Sequence, residues 1–220
     1  MSKSKGNVIN PDDIINEFGA DAFRVYEMFM GPFDQTASWS MDSIRGCFKF
    51  LDRVWNLQDI LVDGDNYSPE FEKMMHKAIK KVSKDIEDMK FNTCISTFMT
   101  MINEFSRLKH INKAEFKTFI TLLNPFAPHI TEELNSVVGF DKDISTYNWP
   151  EYDEAKTIDD EIEIPVQVNG KLKATIMINL DEEETSVKNK VHEAIEDKLD
   201  GKSIIKEIYI KNKIYNIVVK

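Results

Sequence analysis

The chain has 220 residues, 42% of them hydrophobic, with 28 Lys and Arg against 38 Asp and Glu and a formal net charge of −10. That length suits one large domain or two small ones, and the acidic balance excludes a generic nucleic-acid binder, because phosphate contacts need clustered Lys or Arg and any such contact must here be local. Charged residues break every run short of the roughly 20 apolar residues that a membrane span requires, and the first seven residues lack the apolar core of a secretory signal, so a cytoplasmic protein without membrane contact is expected.

The first ten residues read as a polar loop. Asn10-Pro11-Asp12-Asp13 then opens a short helix, with Asn as N-cap and Pro at its first position. Gly19 punctuates it, and a second helix runs from Ala20 to Met30, stopped by Gly31-Pro32. From Met41 the period is helical, with Ile44, Phe48, Leu51 and Trp55 expected on the inward stripe. After the turn at Asp63-Gly64-Asp65-Asn66, Ser68-Pro69 starts a helix whose stripe is Phe71, Met74, Met75, Ala78, Ile79, Val82, Ile86 and Met89. Another follows near Asn92, with Cys94, Ile95, Phe98, Met99, Ile102 and Phe105 inward. Shorter helices over 114–123 and 128–138 complete an array joined by short loops, the pattern of a bundle. Cys47 and Cys94 stand far apart without metal-ligand spacing and read as core packing. No metal site is expected.

After Trp149-Pro150 an acidic stretch containing Asp159-Asp160-Glu161 reads as a linker, and beyond it the period becomes two. Ile162 to Val168 alternates, Asn169-Gly170 supplies a tight hairpin turn, and Leu172 to Ile178 returns. Pro165 places the first of these strands at a sheet edge. A helix from Glu183 to Leu199 and two strands, 204–210 and 214–219, close a small ββαββ unit. The fold class is therefore mainly α: a helical bundle followed by a small α+β domain. The expected divisions are 1–40 as a loop with connecting helices, 41–153 as the bundle, 154–161 as the linker and 162–220 as the small domain.

Three motifs carry a resemblance. Met1-Ser2-Lys3-Ser4-Lys5 resembles the KMSKS loop of class I aminoacyl-tRNA synthetases, followed in the family's order by Gly19-Ala20-Asp21-Ala22-Phe23-Arg24. Leu122-Leu123-Asn124-Pro125-Phe126-Ala127-Pro128-His129, continuing through Glu132-Glu133-Leu134, resembles the proline-rich turn in the helical domain of the leucine, isoleucine and valine enzymes. Read on its own, that segment is a helix boundary with acids in the first turn; His129 lacks the His-Glu-x-x-His spacing of a zinc site. Val166-Gln167-Val168-Asn169-Gly170-Lys171-Leu172-Lys173, with the final Ile217-Val218-Val219-Lys220, looks like the carboxy-terminal domain of the bacterial leucyl-tRNA synthetase family.

The resemblance covers the chain from Met1 to Lys220. It implies a bundle of the anticodon-binding type and the C-terminal part of a leucine–tRNA ligase, joining leucine to tRNA(Leu) at the expense of ATP. Ser2, Lys3 and Ser4 are implied as ATP-binding, in a loop whose fixed positive groups stabilise charge developing on departing pyrophosphate. With no His-x-Gly-His motif or glycine-rich adenine site, no complete catalytic set is expected, and ATP with Mg belongs to the intact, monomeric enzyme. The partners implied are tRNA(Leu) and an amino-terminal synthetase portion, in cis or in trans. A stand-alone tRNA-binding module and one half of a split synthetase stay open as alternatives. Candidate tRNA contacts are Lys171, Lys173, Lys202, Lys206, Lys213 and Lys220, together with Lys211; Tyr209 and Tyr215 alone in this region offer rings for base stacking. Shape and backbone recognition are expected rather than base reading.

Overall fold

The structure, a computed structural model, describes residues 8–32, 34–140, 142–158, 161–199 and 203–220. The chain divides into two compact units, Met1–Thr157 and Ile158–Lys220. No helix among the described residues is long and apolar enough to cross a membrane.

The first unit is helical. Helix α1 (Pro11–Phe18) begins where the sequence places it: the Asn10 side chain accepts from the Asp12 N–H at 3.3 Å, and Gly19 ends the helix at φ +87°. Helix α2 spans Ala20–Phe29 and α3 spans Met41–Trp55. On α3 the buried row is Ile44, Cys47, Leu51 and Val54. Phe48, expected inward, is 48% exposed; its ring meets Phe18 edge-on at 6.2 Å on the flank of the row. The long pair α4 (Pro69–Glu87) and α5 (Phe91–Leu108) buries Phe71, Met75, Ile79 and Val82 against Cys94, Phe98, Ile102 and Phe105, whereas Met89 lies beyond α4 and is exposed. Two short strands, β1 (Leu61–Val62) and β2 (Ile111–Asn112), pair in parallel between the helices.

Helices α6 (Lys113–Leu123) and α7 (Pro128–Val138) complete the unit. Glu115 locks the start of α6. It is fully buried, and accepts from the Asn112 N–H at 2.8 Å in a capping box and from the Ser68 N–H at 2.7 Å. A single carboxylate thereby ties the entrances of α4 and α6 together.

The segment from Trp149 to Thr157 is tied to the helical unit. The Trp149 Nε1 donates to Ser83 Oγ at 2.7 Å, and the Asp153 N–H donates to His76 Nδ1 at 3.1 Å. A 3₁₀ turn over Glu154–Thr157 adds ion pairs from Lys80 to Glu154 and from Lys156 to Glu72.

The second unit is a four-stranded sheet in the order β4-β3-β6-β5, from β3 (Glu161–Val168), β4 (Lys171–Asn179), β5 (Ile204–Ile210) and β6 (Ile214–Val219). The outer pairs are antiparallel and the central β3–β6 pair is parallel. Asn169 and Gly170 take φ of +49° and +76°, the two positive values that a type I′ hairpin turn demands. Strand β3 is central, so the edge position expected from Pro165 is corrected. Pairing with β6 begins only at Val166, hence on that side no neighbour asks Pro165 for the N–H it lacks. The expected single helix over 183–199 is also corrected: α8 (Glu184–Ala194) ends at Ile195, which leaves helical geometry and buries its side chain before α9 (Glu196–Leu199). Val187 and Val191 of α8 pack with Ile164, Val166, Ile178 and Ile217 of the sheet.

Candidate functional site

The two internal motifs singled out in the sequence form one structural joint. Asp21, in the first turn of α2, accepts from His129 Nδ1 at 2.7 Å through one oxygen and from the Ile130 N–H at 2.7 Å through the other. The second contact satisfies an otherwise orphaned donor at the start of α7 and puts negative charge at that helix's positive end. One turn along α2, Arg24 donates to the carbonyls of Pro125 at 2.7 Å and Phe126 at 3.3 Å. Both motif residues therefore serve the turn between α6 and α7, and the partner of His129 is the Asp21 carboxylate.

Ser2, Lys3, Ser4 and Lys202 lie outside the described residues. The remaining candidate lysines divide between the two ends of the sheet. Lys171 stands opposite Val168 at the hairpin, and Lys173 follows within the bulged segment. Lys206 stands opposite Val218, while Lys220 exchanges backbone hydrogen bonds with Ser203 at 3.0 and 3.2 Å. These four reach the same end, where β3 and β6 finish and β4 and β5 start. Lys213 is in the β5–β6 turn at the other end, next to Lys211, whose ammonium pairs with Asp181 at 2.9 Å.

The aromatic pair does not form a stacking platform for bases. Tyr215 is 1% exposed and stacks on Tyr209 at 5.6 Å, and its hydroxyl donates to Glu207 at 2.6 Å. Burial pushes the Tyr215 phenol up from its ordinary range, and the Glu207 carboxylate pushes it further. Burial opposes ionisation of Glu207, but hydrogen bonds from Tyr215, Lys188 and His192 outweigh it and hold this carboxyl below its usual range. Glu207 is thus a structural tie between β5, β6 and α8. What that end of the sheet presents to solvent is the exposed side chains of Lys171, Lys173, Lys206 and Lys220.

A further basic feature was missed by reading α4 only for its apolar stripe. Lys73, Lys77 and Lys81 recur every four residues and line a groove between α4 and α5. The spacing itself was the available signal.

Residues 69–189 match the family model of the anticodon-binding domain of tRNA ligase, and residues 1–40 match that of class I tRNA synthetases for I, L, M and V. A leucine–tRNA ligase from Alkaliphilus oremlandii (strain OhILAs) is 52% identical over 222 residues, covering 100% of this chain and 28% of that protein. Among solved structures, the agnB2 LeuRS of Agrobacterium radiobacter K84, in its ternary complex with tRNA and LeuAMS, matches at 28% identity with a TM-score of 0.74. That match covers 100% of this chain and 31% of the other. The chain thus spans under a third of the length of either relative.

Proposed function

The chain belongs to the tRNA ligases that carry this anticodon-binding domain and is a homologue of leucine–tRNA ligase, and on that premise we propose that it acts as the tRNA-positioning part of such an enzyme. The observation that carries the proposal is the whole-chain match to a leucine–tRNA ligase, which includes both the bundle and the small sheet domain. The reaction proposed for the whole enzyme joins leucine to tRNA(Leu) with ATP and Mg in the cytoplasm. In that scheme residues 1–40 bring the ATP loop, 41–153 the bundle, 154–161 the connection and 162–220 the tRNA-contacting domain. Ser2, Lys3 and Ser4 would meet the nucleotide only beside an adenine pocket supplied by other sequence.

Lys171, Lys173, Lys206 and Lys220, gathered at one end of the sheet, are the proposed phosphate contacts of the small domain, with Lys202 a further candidate read from the sequence alone. Backbone contacts position an RNA without reading its sequence, so recognition here rests on the shape of the tRNA. ATP–pyrophosphate exchange tests the division of labour. The chain alone is expected to show none, and exchange above background would overturn the dependence on a separate nucleotide-binding fold. Replacing Lys171, Lys173, Lys206 and Lys220 with Gln is expected to weaken tRNA(Leu) binding; an unchanged affinity would remove this surface from the account.

A further inference from the structure

Asn169-Gly170 is the one Asn-Gly pair in the sequence, and both residues are exposed. The turn alone does not account for the asparagine, because Asp or Gly also takes a positive φ at the first position of such a turn. The difference lies in the side-chain amide. Asn169 Nδ2 donates to the Val219 carbonyl at 3.1 Å, and Asn169 Oδ1 accepts from the Val219 N–H at 3.0 Å. A carboxamide carries both a donor and an acceptor, which a carboxylate does not, so the side chain pairs with Val219 much as a further strand residue would. The Gly170 N–H donates to Asn216 Oδ1 at 3.2 Å, again on β6.

These contacts engage the reacting groups of a cyclisation open to any Asn-Gly pair, since glycine has no side chain to shield its nitrogen. In that reaction the Gly170 nitrogen gives its proton to water and attacks Asn169 Cγ, forming a C–N bond. The Cγ–Nδ2 bond breaks, and the amide departs as ammonia. Water then opens the five-membered imide. Breaking the new C–N bond leaves aspartate, and breaking the original peptide bond leaves isoaspartate, in which the chain runs through Cγ. In the folded unit Asn216 holds the nucleophile and Val219 holds both amide atoms.

We propose that Asn169 is a spontaneous modification site guarded by β6: it reacts when the end of that strand leaves the turn, and its products hinder the strand from settling back. A carboxylate has no hydrogen for the Val219 carbonyl and sets two acceptors against each other. Isoaspartate adds a main-chain atom to a two-residue turn whose length fixes the hairpin register. Either product also places a negative charge beside Lys171 and Lys173 in the sequence.

The test is incubation of the full chain at mildly alkaline pH, folded and in strong urea, with peptide mapping by mass spectrometry for aspartate and isoaspartate at position 169. The folded chain is expected to react at least about tenfold more slowly, because several hydrogen bonds must open first. Asn216→Ala, which frees the Gly170 N–H, is expected to speed the folded-state reaction by about fivefold, with circular dichroism checking that the sheet persists. Asn169→Asp reproduces one product and is expected to speed hydrogen exchange at the Val219 amide by about fivefold. Equal rates in the folded and unfolded chain, or no effect of Asn216→Ala in a folded sheet, would overturn the guard. No reaction at position 169 in urea would overturn the site, and unchanged exchange at Val219 would overturn the effect on β6.

Discussion

Asp21 and His129, separated by 108 positions in the sequence, are joined at 2.7 Å, and the second oxygen of the same carboxylate caps the backbone of α7 at Ile130. The two contacts are unequal. The His129 side chain is 74% exposed and that of Asp21 only 10%, so the hydrogen bond to the imidazole is open to solvent on one side while the backbone cap is sheltered. Asp21→Ala is expected to cost about 1–2 kcal/mol, as for loss of a helix cap, and His129→Ala at most about 0.5 kcal/mol, as for an exposed pair. Urea denaturation of both variants measures the difference. Equal losses would mean that the imidazole, rather than the Ile130 N–H, carries the joint.

Glu115 presents the larger risk to the fold. Its carboxylate is fully buried and takes the Ser68 N–H, the Ser68 hydroxyl and the Asn112 N–H. Glu115→Ala strands these donors, each unsatisfied group costing about 1–3 kcal/mol. A drop in the urea midpoint corresponding to about 3 kcal/mol or more is expected. Glu115→Gln retains acceptance at one oxygen and should fall between this variant and the wild type.

The two cysteines are expected to be chemically silent in the native state. Burial pushes the Cys47 thiol up to about 11. Burial, followed by the nearby Asp85 carboxylate, pushes Cys94 up to about 12. The thiolate is the reactive form, so a thiol-specific disulfide reagent at neutral pH should label neither residue before unfolding and both in strong denaturant. Fast labelling of the folded chain would contradict the burial that defines this core.

Glu182 sets an acid limb in the small unit. Hydrogen bonds from the Ser186 hydroxyl, Lys190 and the Asn179 N–H hold its carboxyl down at about 2, against an ordinary value of 4.5. A carboxylate whose pKa is depressed by folding stabilises the fold above its unfolded pKa, and that contribution is lost as pH falls through the folded value. Stability of the unit should therefore decline between about pH 4.5 and about pH 2, and Glu182→Gln should lower it near neutral pH while flattening this part of the profile. Thermal melts followed by circular dichroism over that range compare the two; parallel profiles would remove Glu182 as the cause.

The helical unit was largely legible because its signals are local. Asn10-Pro11 and Ser68-Pro69 mark helix starts, and three- and four-residue apolar spacing marks the faces of α4 and α5. The exception at Phe48 arises because a stripe has flanks: Cys47 and Val54 fill the interior, and the larger ring is left at the margin against Phe18. In the small unit the hairpins were readable from Asn169-Gly170 and from alternation, but their order was not. The parallel pairing of β3 with β6 joins residues about fifty positions apart, and no local pattern encodes it; the reading of Pro165 failed for that reason. Tyr215 was misread for a related one, since alternation puts it on a face without saying which face is covered. At the candidate interface, the sequence pointed to lysines of the small unit, and the pairing of β3 with β6 gathered four of them.

The most direct test of the central claim is a titration of the unmodified chain with tRNA(Leu) transcript at about 50 mM and about 200 mM salt. The account predicts saturable binding at the lower salt that weakens at least tenfold at the higher, as expected when several phosphates are neutralised by lysines. Absence of binding at the lower salt, or an affinity indifferent to salt, would contradict it.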